Sequence, residues 1–70
     1  MTMFITWHKN EFRIHDSKSG NIMFIKSMAE DIIDAQLSGN QAVITTKKQT
    51  SIFKRIGSTY AFSFFRAVPH

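Results

Sequence analysis

The stretch "SMAEDIIDAQLSGN", residues 27–40, decides whether this chain is all-β or also contains a helix. If residues 28–37 form a helix, the stretch supplies signals for both the start and the end of that helix. Ser27 is a good N-cap, and Glu30 follows at capping-box spacing. Gly39 lies just beyond the last turn, where helices commonly end. The segment by itself therefore supports a helix.

The same stretch also fits a β-strand over 33–38. Apolar and polar residues alternate strictly there, with Ile33, Ala35 and Leu37 on one face, as in a half-buried strand. The "SGNQ" that follows is typical of a hairpin turn into another strand. The local end signals slightly favour the helix and the sequence downstream favours the strand, so both alternatives stay open.

The sequence on both sides of this stretch has the alternation and the turn residues of β-structure. In "FRIHDSKSGNIMF", residues 12–24, Asp16 can bond the turn backbone and Gly20 can adopt a positive φ, so the segment predicts a hairpin. Strands are predicted over residues 3–7, 11–15, 21–26, 42–46, 51–56 and 59–68.

We therefore expect one small, mainly β, antiparallel domain over residues 1–70, blade-like, with six or seven short strands. The alternative is an α+β domain with one helix at 28–37. A chain of 70 residues buries only about 60% of the surface that its unfolded form exposes. Such domains are marginally stable and usually need a disulfide, a metal or a partner.

The sequence supplies neither disulfides nor an evident metal site. There are no cysteines, and the three histidines, His8, His15 and His70, match no familiar metal-ligand spacing. There is no Gly-x-Ser-x-Gly nucleophile motif and no glycine-rich phosphate loop. We expect no cofactor, no metal and no catalytic residues, and hence a protein that is not an enzyme.

Hydropathy gives an expectation about location. No apolar run approaches the roughly 20 residues that cross a bilayer, and the N-terminus lacks the basic start and long apolar stretch of a secretory signal. We expect a cytoplasmic protein with no membrane span.

Charge is divided unevenly along the chain. Residues 1–34 contain four Lys or Arg and all five acidic residues, a sum of −1, whereas residues 35–70 contain five Lys or Arg and no acid, a sum of +5. A basic half can attract nucleic acid or another polyanion. The candidate contacts to such an anion are Lys9, Lys47, Lys48, Lys54 and Arg55.

Aromatic residues are abundant for so short a chain, with seven Phe, one Trp and one Tyr. The function we expect is a protein-binding or assembly module, a homo-oligomer that self-associates through exposed β-edges and aromatic surface. A small nucleic-acid-binding protein that uses the basic second half is the alternative. The candidate partner-interface residues are Trp7, Tyr60, Phe62, Phe64 and Phe65.

Two segments of the chain resemble each other. At an offset of 39 residues, "FITWHKNEFRIHD" (4–16) and "VITTKKQTSIFKR" (43–55) share an Ile-Thr pair and a turn lysine. Gly20 and Gly57, 37 residues apart, each precede an aromatic strand. A period near 40 is the size of one propeller blade.

The junction between these segments resembles a blade-to-blade junction of WD-repeat β-propellers. Ile14-His15-Asp16 lies where that family has an aromatic-Asp pair, and "DSKSG" (16–20) matches its Asp-x-x-Thr/Ser-Gly turn. The chain departs from the family in having His15 in place of Trp, no Gly-His pair and less than two blades. The resemblance covers about half the chain and implies a protein-binding platform.

Overall fold

The computed structural model describes residues 2–70. Within that range the chain forms seven β-strands and no helix. The strands are β1 (Met3–His8), β2 (Glu11–Asp16), β3 (Ile22–Ser27), β4 (Ile32–Ser38), β5 (Gln41–Thr46), β6 (Gln49–Arg55) and β7 (Phe62–Pro69).

The strands form two antiparallel sheets in which neighbours in sequence are neighbours in space. Sheet I has the order β1-β2-β3 and sheet II has the order β4-β5-β6-β7. Short turns make this possible: Lys9-Asn10 joins β1 to β2, and Gly39-Asn40 joins β4 to β5. Lys9 and Gly39 have φ values of 56° and 61°, the left-handed conformation that two-residue hairpin turns need. The prediction of a mainly β, antiparallel domain is confirmed.

The helix alternative over 28–37 is wrong, because residues 32–37 belong to β4, which pairs with β5, and the residues before them form a connection without helix. A bulge places Ile33 between two ladder pairs, so Ile32 and Ala35 both point into the core while Ile33 is exposed. The capping signals of the isolated segment lose to the ladder hydrogen bonds and the apolar burial that the neighbouring strands provide.

The core lies between the two sheets. The rings of Phe12 on β2 and Phe53 on β6 are 5.2 Å apart, and Phe24 on β3 approaches Phe62 on β7 at 6.2 Å. Aliphatic side chains complete the layer. The buried apolar residues are Phe12, Ile14, Ile32, Ala35, Ala42, Ile44, Phe53 and Phe62.

Each sheet therefore buries one face and leaves the other open. Along β2, Phe12 and Ile14 are fully buried, while Arg13 between them is on the opposite side. The molecule is accordingly thin, with extents of 34 × 23 × 15 Å. We call the side of each sheet that points away from the other sheet its outer face.

We predict that Ile14→Val lowers the free energy of unfolding by about 1 kcal/mol, because the change removes one methylene from a fully buried site. The matched control is Ile56→Val in the loop after β6, where the side chain is 49% exposed and a change near zero is expected. Urea unfolding followed by circular dichroism measures both. Equal effects at the two sites would contradict the core described here.

Candidate self-association surface

Exposed apolar side chains are concentrated on the last strand of each sheet. β3 and β7 each have one neighbour in their sheet, so each leaves a row of backbone groups unpaired. The Phe24–Phe62 ring contact brings these strands together across the core. Six of the ten exposed large hydrophobic residues lie on them: Ile22, Met23, Ile25, Phe64, Phe65 and Val68.

The aromatic residues predicted for the interface divide between core and surface. Phe62 is buried and Tyr60 is half-buried, whereas Trp7, Phe64 and Phe65 are 40%, 59% and 51% exposed. Within β7 only Phe62 is buried and Ala67 is half-buried, and the other residues of the strand are exposed. The interface candidates with available surface are Trp7, Phe64 and Phe65.

Local geometry explains the exposure of the two phenylalanines on β7. Phe64 pairs with Phe53 and contacts its ring edge-on at 5.7 Å, at the margin of the core. Phe65 lies at a bulge, because Phe53 pairs with Phe64 and Ile52 pairs with Arg66. The Nζ of Lys54 lies 4.0 Å above the centre of the Phe65 ring, a cation–π contact at the surface.

The sequence interpretation did not single out the apolar side chains of β3. Ile22, Met23 and Ile25 are each about half exposed. A signal for them exists: residues 22–25 are apolar at every position, so a strand with one buried face must expose some of them.

Three of the candidate cationic residues lie at one end of the molecule. The Lys9 carbonyl accepts a hydrogen bond from the Ile32 amide at 2.7 Å, next to the turn that contains Lys47 and Lys48. Lys48 forms an ion pair with Glu30 at 3.4 Å. Glu30 and Asp31 of the β3–β4 connection offset part of this positive charge. They also line an open groove of about 490 Å³ beside Lys47.

Lys54 and Arg55 lie at the other end of β6, about 20 Å from Lys48 by strand length. Arg55 is engaged locally: its Nε donates to the Thr59 carbonyl at 2.6 Å, and its Nη2 donates to the Ser58 carbonyl at 3.1 Å. The five candidate cationic residues therefore do not form one continuous patch.

His15 is held by both ring nitrogens. Its Nδ1 lies 3.1 Å from the Gly20 carbonyl, which only accepts, so Nδ1 donates. Its Nε2 lies 2.7 Å from the Thr6 hydroxyl, a group that can both donate and accept a hydrogen bond. The ring also stacks on Phe4 with 4.6 Å between centroids. These contacts fix His15 on the outer face of sheet I.

Asp16 links the β2–β3 loop to the β6–β7 loop. Its Oδ2 accepts hydrogen bonds from the Ser19 hydroxyl at 2.8 Å and the Ser19 amide at 3.1 Å, and its Oδ1 accepts from the Tyr60 hydroxyl at 2.9 Å. The Ser19 bonds, with that of Tyr60, hold the pKa of Asp16 below its ordinary value of 3.8. The bond to Asp16 raises the pKa of Tyr60 above 10.0.

The described residues contain neither a metal-binding cluster nor a membrane-spanning helix. Within residues 2–70 no group of three or more His, Asp or Glu side chains is placed to hold a metal ion. The same part of the chain contains no helix long and apolar enough to span a bilayer.

Comparison with protein-family models, with curated proteins and with solved structures finds no significant match to this chain.

We predict that Asp16→Asn lowers the pKa of Tyr60 toward 10, because a neutral amide retains the tyrosine proton less strongly than a carboxylate does. Tyr60 is the only tyrosine, so phenolate absorbance reports this site alone. Asp34→Asn is the matched control, since the Asp34 carboxylate accepts from Gln36 and should leave the titration unchanged. An identical Tyr60 pKa in wild type and Asp16→Asn would show that the link is absent in solution.

The same bond makes stability depend on pH at both extremes. Because the folded pKa of Asp16 lies below 3.8, its contribution is present above pH 3.8 and is lost as pH falls through the folded pKa. Because the pKa of Tyr60 is raised, its contribution is present below pH 10 and is lost as pH rises through the raised value. Thermal unfolding of wild type and Tyr60→Phe should therefore differ at pH 7 and converge in strong alkali. A constant difference across that range would contradict the alkaline part.

Proposed function

We propose that this chain is a non-enzymatic assembly module that self-associates through its exposed β-edges and aromatic surface. The observation that carries the proposal is the concentration of exposed apolar side chains on β3 and β7. Exposed apolar side chains on edge strands, whose outer backbone groups are unpaired, favour contact with another protein surface.

The edge strands β3 and β7 expose apolar side chains although each of them carries a bulge. Monomeric β-proteins place lysine, proline or bulges on their edges. β3 has one lysine, Lys26, beside three exposed apolar residues, and β7 has Arg66 near its middle and Pro69 at its end. An apolar edge of this kind favours pairing or packing with another β-surface.

The small size of the chain supports the same proposal. With 70 residues and no disulfide, the core of one copy is limited to a single layer between two sheets. Burial of the exposed apolar residues against a second copy would add stabilisation that one chain does not supply. The resemblance of residues 12–46 to a propeller blade junction points in the same direction, since a single blade leaves its apolar faces uncovered.

The test is sedimentation of the purified chain over a wide concentration range. We expect wild type to self-associate and Ile25→Asp to shift the equilibrium to monomer, because a buried, unpaired carboxylate at an interface is strongly unfavourable. The control is Ile56→Asp: Ile25 and Ile56 are 50% and 49% exposed, but Ile56 lies in a loop. A wild type that stays monomeric at high concentration would contradict self-association, and equal loss in both variants would remove β3 from the interface.

Nucleic-acid binding is the alternative, and the location of Lys9, Lys47 and Lys48 at one end is the observation that supports it. The partners of Lys48 and Arg55 within the chain, and the acids nearby, count against it. If this alternative holds, Lys47→Glu with Lys48→Glu should abolish low-salt binding to a mixed-sequence oligonucleotide, because phosphate contacts dominate such affinity. Lys54→Glu, at the far end of β6, should retain it. Undetectable binding by wild type at low salt would end this alternative.

A further inference from the structure

The two sheets repeat one structural unit, and the loops show how to align it. The Asp16 amide donates to the Asn21 carbonyl at 3.0 Å, and the Ile56 amide donates to the Ala61 carbonyl at 2.9 Å. Inside these loops the Asn21 amide bonds the Ser19 hydroxyl and the Ala61 amide bonds the Thr59 hydroxyl, both at 3.2 Å. Each loop follows a hairpin with a two-residue turn. The unit β1-β2-β3 therefore corresponds to β5-β6-β7.

In sheet I the hairpin pairs on the core-facing side are the non-hydrogen-bonded ones. The Ser17 amide donates to the Thr2 carbonyl at 3.2 Å, which is the bond that flanks a non-hydrogen-bonded pair, here Met3 with Asp16. Pairs alternate along an antiparallel ladder, so Ile5–Ile14 and Trp7–Phe12 are also non-hydrogen-bonded. The fully buried Phe12 and Ile14 belong to these pairs.

In sheet II the buried pairs of the equivalent hairpin are the hydrogen-bonded ones. The Arg55 amide donates to the Asn40 carbonyl at 2.8 Å, so Gln41–Lys54 is a non-hydrogen-bonded pair. By alternation the next pair, Ala42–Phe53, exchanges hydrogen bonds, and so does Ile44–Ser51. All four of these residues are buried.

This difference in hydrogen bonding determines which face of each three-stranded unit is turned toward the core. In a strand of L-residues that runs upward, a side chain that faces the viewer has its own N–H and C=O pointing to the viewer's right. Seen from the core, β2 therefore lies to the left of an upward β1, whereas β6 lies to the right of an upward β5. The equivalent units β1-β2-β3 and β5-β6-β7 therefore turn opposite faces toward the core. If one face of the unit is called its front, the front of one unit packs on the back of the other.

The two outer faces are consequently of opposite kinds as well. The outer face of sheet I carries the hydrogen-bonded pairs of its hairpin, like the face that sheet II buries. The outer face of sheet II carries the non-hydrogen-bonded pairs, like the face that sheet I buries. With the two-residue turns superposed, Val43 and Ile52 occupy the positions that Ile5 and Ile14 occupy in sheet I. Val43–Ile52 is a half-buried apolar pair at the centre of its face.

We infer that a second copy of this chain stacks head to tail, with the outer face of its sheet I on the outer face of sheet II of the first copy. This inference rests on the proposed self-association and names its geometry. The contact repeats the front-to-back packing that already exists within one chain. A contact of this kind generates a closed ring where the rotation per copy permits, and an open filament where it does not.

The facing surfaces are partly apolar on both sides. Phe4, with the His15 ring stacked on it, offers an aromatic surface on sheet I, and Ile25 adds an exposed aliphatic side chain. Val43 and Ile52 oppose them on sheet II. The inferred contact would include Phe4, Thr6, His15 and Ile25 on sheet I, and Val43, Thr45, Ile52 and Val68 on sheet II, and the register also places Arg13, Asp34 and Arg66 on these faces.

A chain without cysteines allows a direct test with single cysteines and a short bis-maleimide cross-linker. Thr6→Cys labels the outer face of sheet I and Thr45→Cys labels that of sheet II, and both changes are close to isosteric. Facing sheets lie about 10 Å apart, within reach of such a reagent. Ser58→Cys, in the exposed β6–β7 loop, mixed with Thr6→Cys measures random collision.

We expect cross-linked dimer from the equal mixture of Thr6→Cys and Thr45→Cys, in which about a quarter of head-to-tail interfaces carry one cysteine of each kind. Each variant alone should give no more product than the Ser58→Cys mixture. Circular dichroism verifies folding, and Ile25→Cys on the same face replaces Thr6→Cys if the latter does not fold.

Three outcomes overturn the head-to-tail contact. Efficient cross-linking of either variant with itself would show a two-fold contact between like faces. A mixture no better than the collision control, in a wild type that sedimentation shows to be associated, would place the interface elsewhere and leave the proposed function standing. A wild type that is monomeric by sedimentation would remove the proposed function and this geometry together.

Discussion

The contact between the buried faces of the two sheets, centred on the rings of Phe12 and Phe53, is the interaction on which the rest of the structure depends. A three-stranded or four-stranded meander with one apolar face is stable in water only if something covers that face. Here the sheets cover each other, and the chain has no disulfide or helix to do so instead. Burial of these side chains is therefore the main source of stability.

The contact between the two sheets also determines which surfaces remain exposed to solvent. Side chains alternate across a strand, so covering one face of each sheet necessarily leaves the other face and the outer strands to solvent. The Asp16–Tyr60 hydrogen bond links the β2–β3 loop to the β6–β7 loop. The exposed residues of β3 and β7 and the outer faces of both sheets are thus a consequence of the sheet arrangement, and the proposed assembly would draw its contact surface from them.

Much of the fold could be predicted from the sequence, because alternation and turn chemistry are local. The strand containing Phe12 and Ile14 and the turn at Asp16 could be identified directly. The segment 28–37 could not be decided in that way, since its capping signals are equally local and the partner strand that overrides them is β5. The positions of bulges could not be predicted from the alternation of apolar and polar residues either. The bulge at Ile33 moves that side chain out of the core.

Much less of the candidate site could be predicted. Whether a ring such as Phe62 or Phe64 is buried depends on how far the facing sheet extends, which no local pattern contains. The repeat shows the same limit. Sequence identities suggest an offset of 39, whereas the structure gives 38 at the turns and 40 at the loops. With an offset of 38, equivalent residues of the two units lie on opposite faces of their sheets, whereas an offset of 39 would place them on the same face. The front-to-back packing can therefore be recognised only from the hydrogen-bond ladder.

Native-state hydrogen exchange across a range of low denaturant concentrations tests the shared core most directly. If each sheet depends on the other, the slowest amides of β2 in sheet I and of β5 in sheet II exchange through one opening, with the same free energy and the same dependence on denaturant. Amides of one sheet that exchange through a separate, much cheaper opening while the other sheet stays protected would contradict this account.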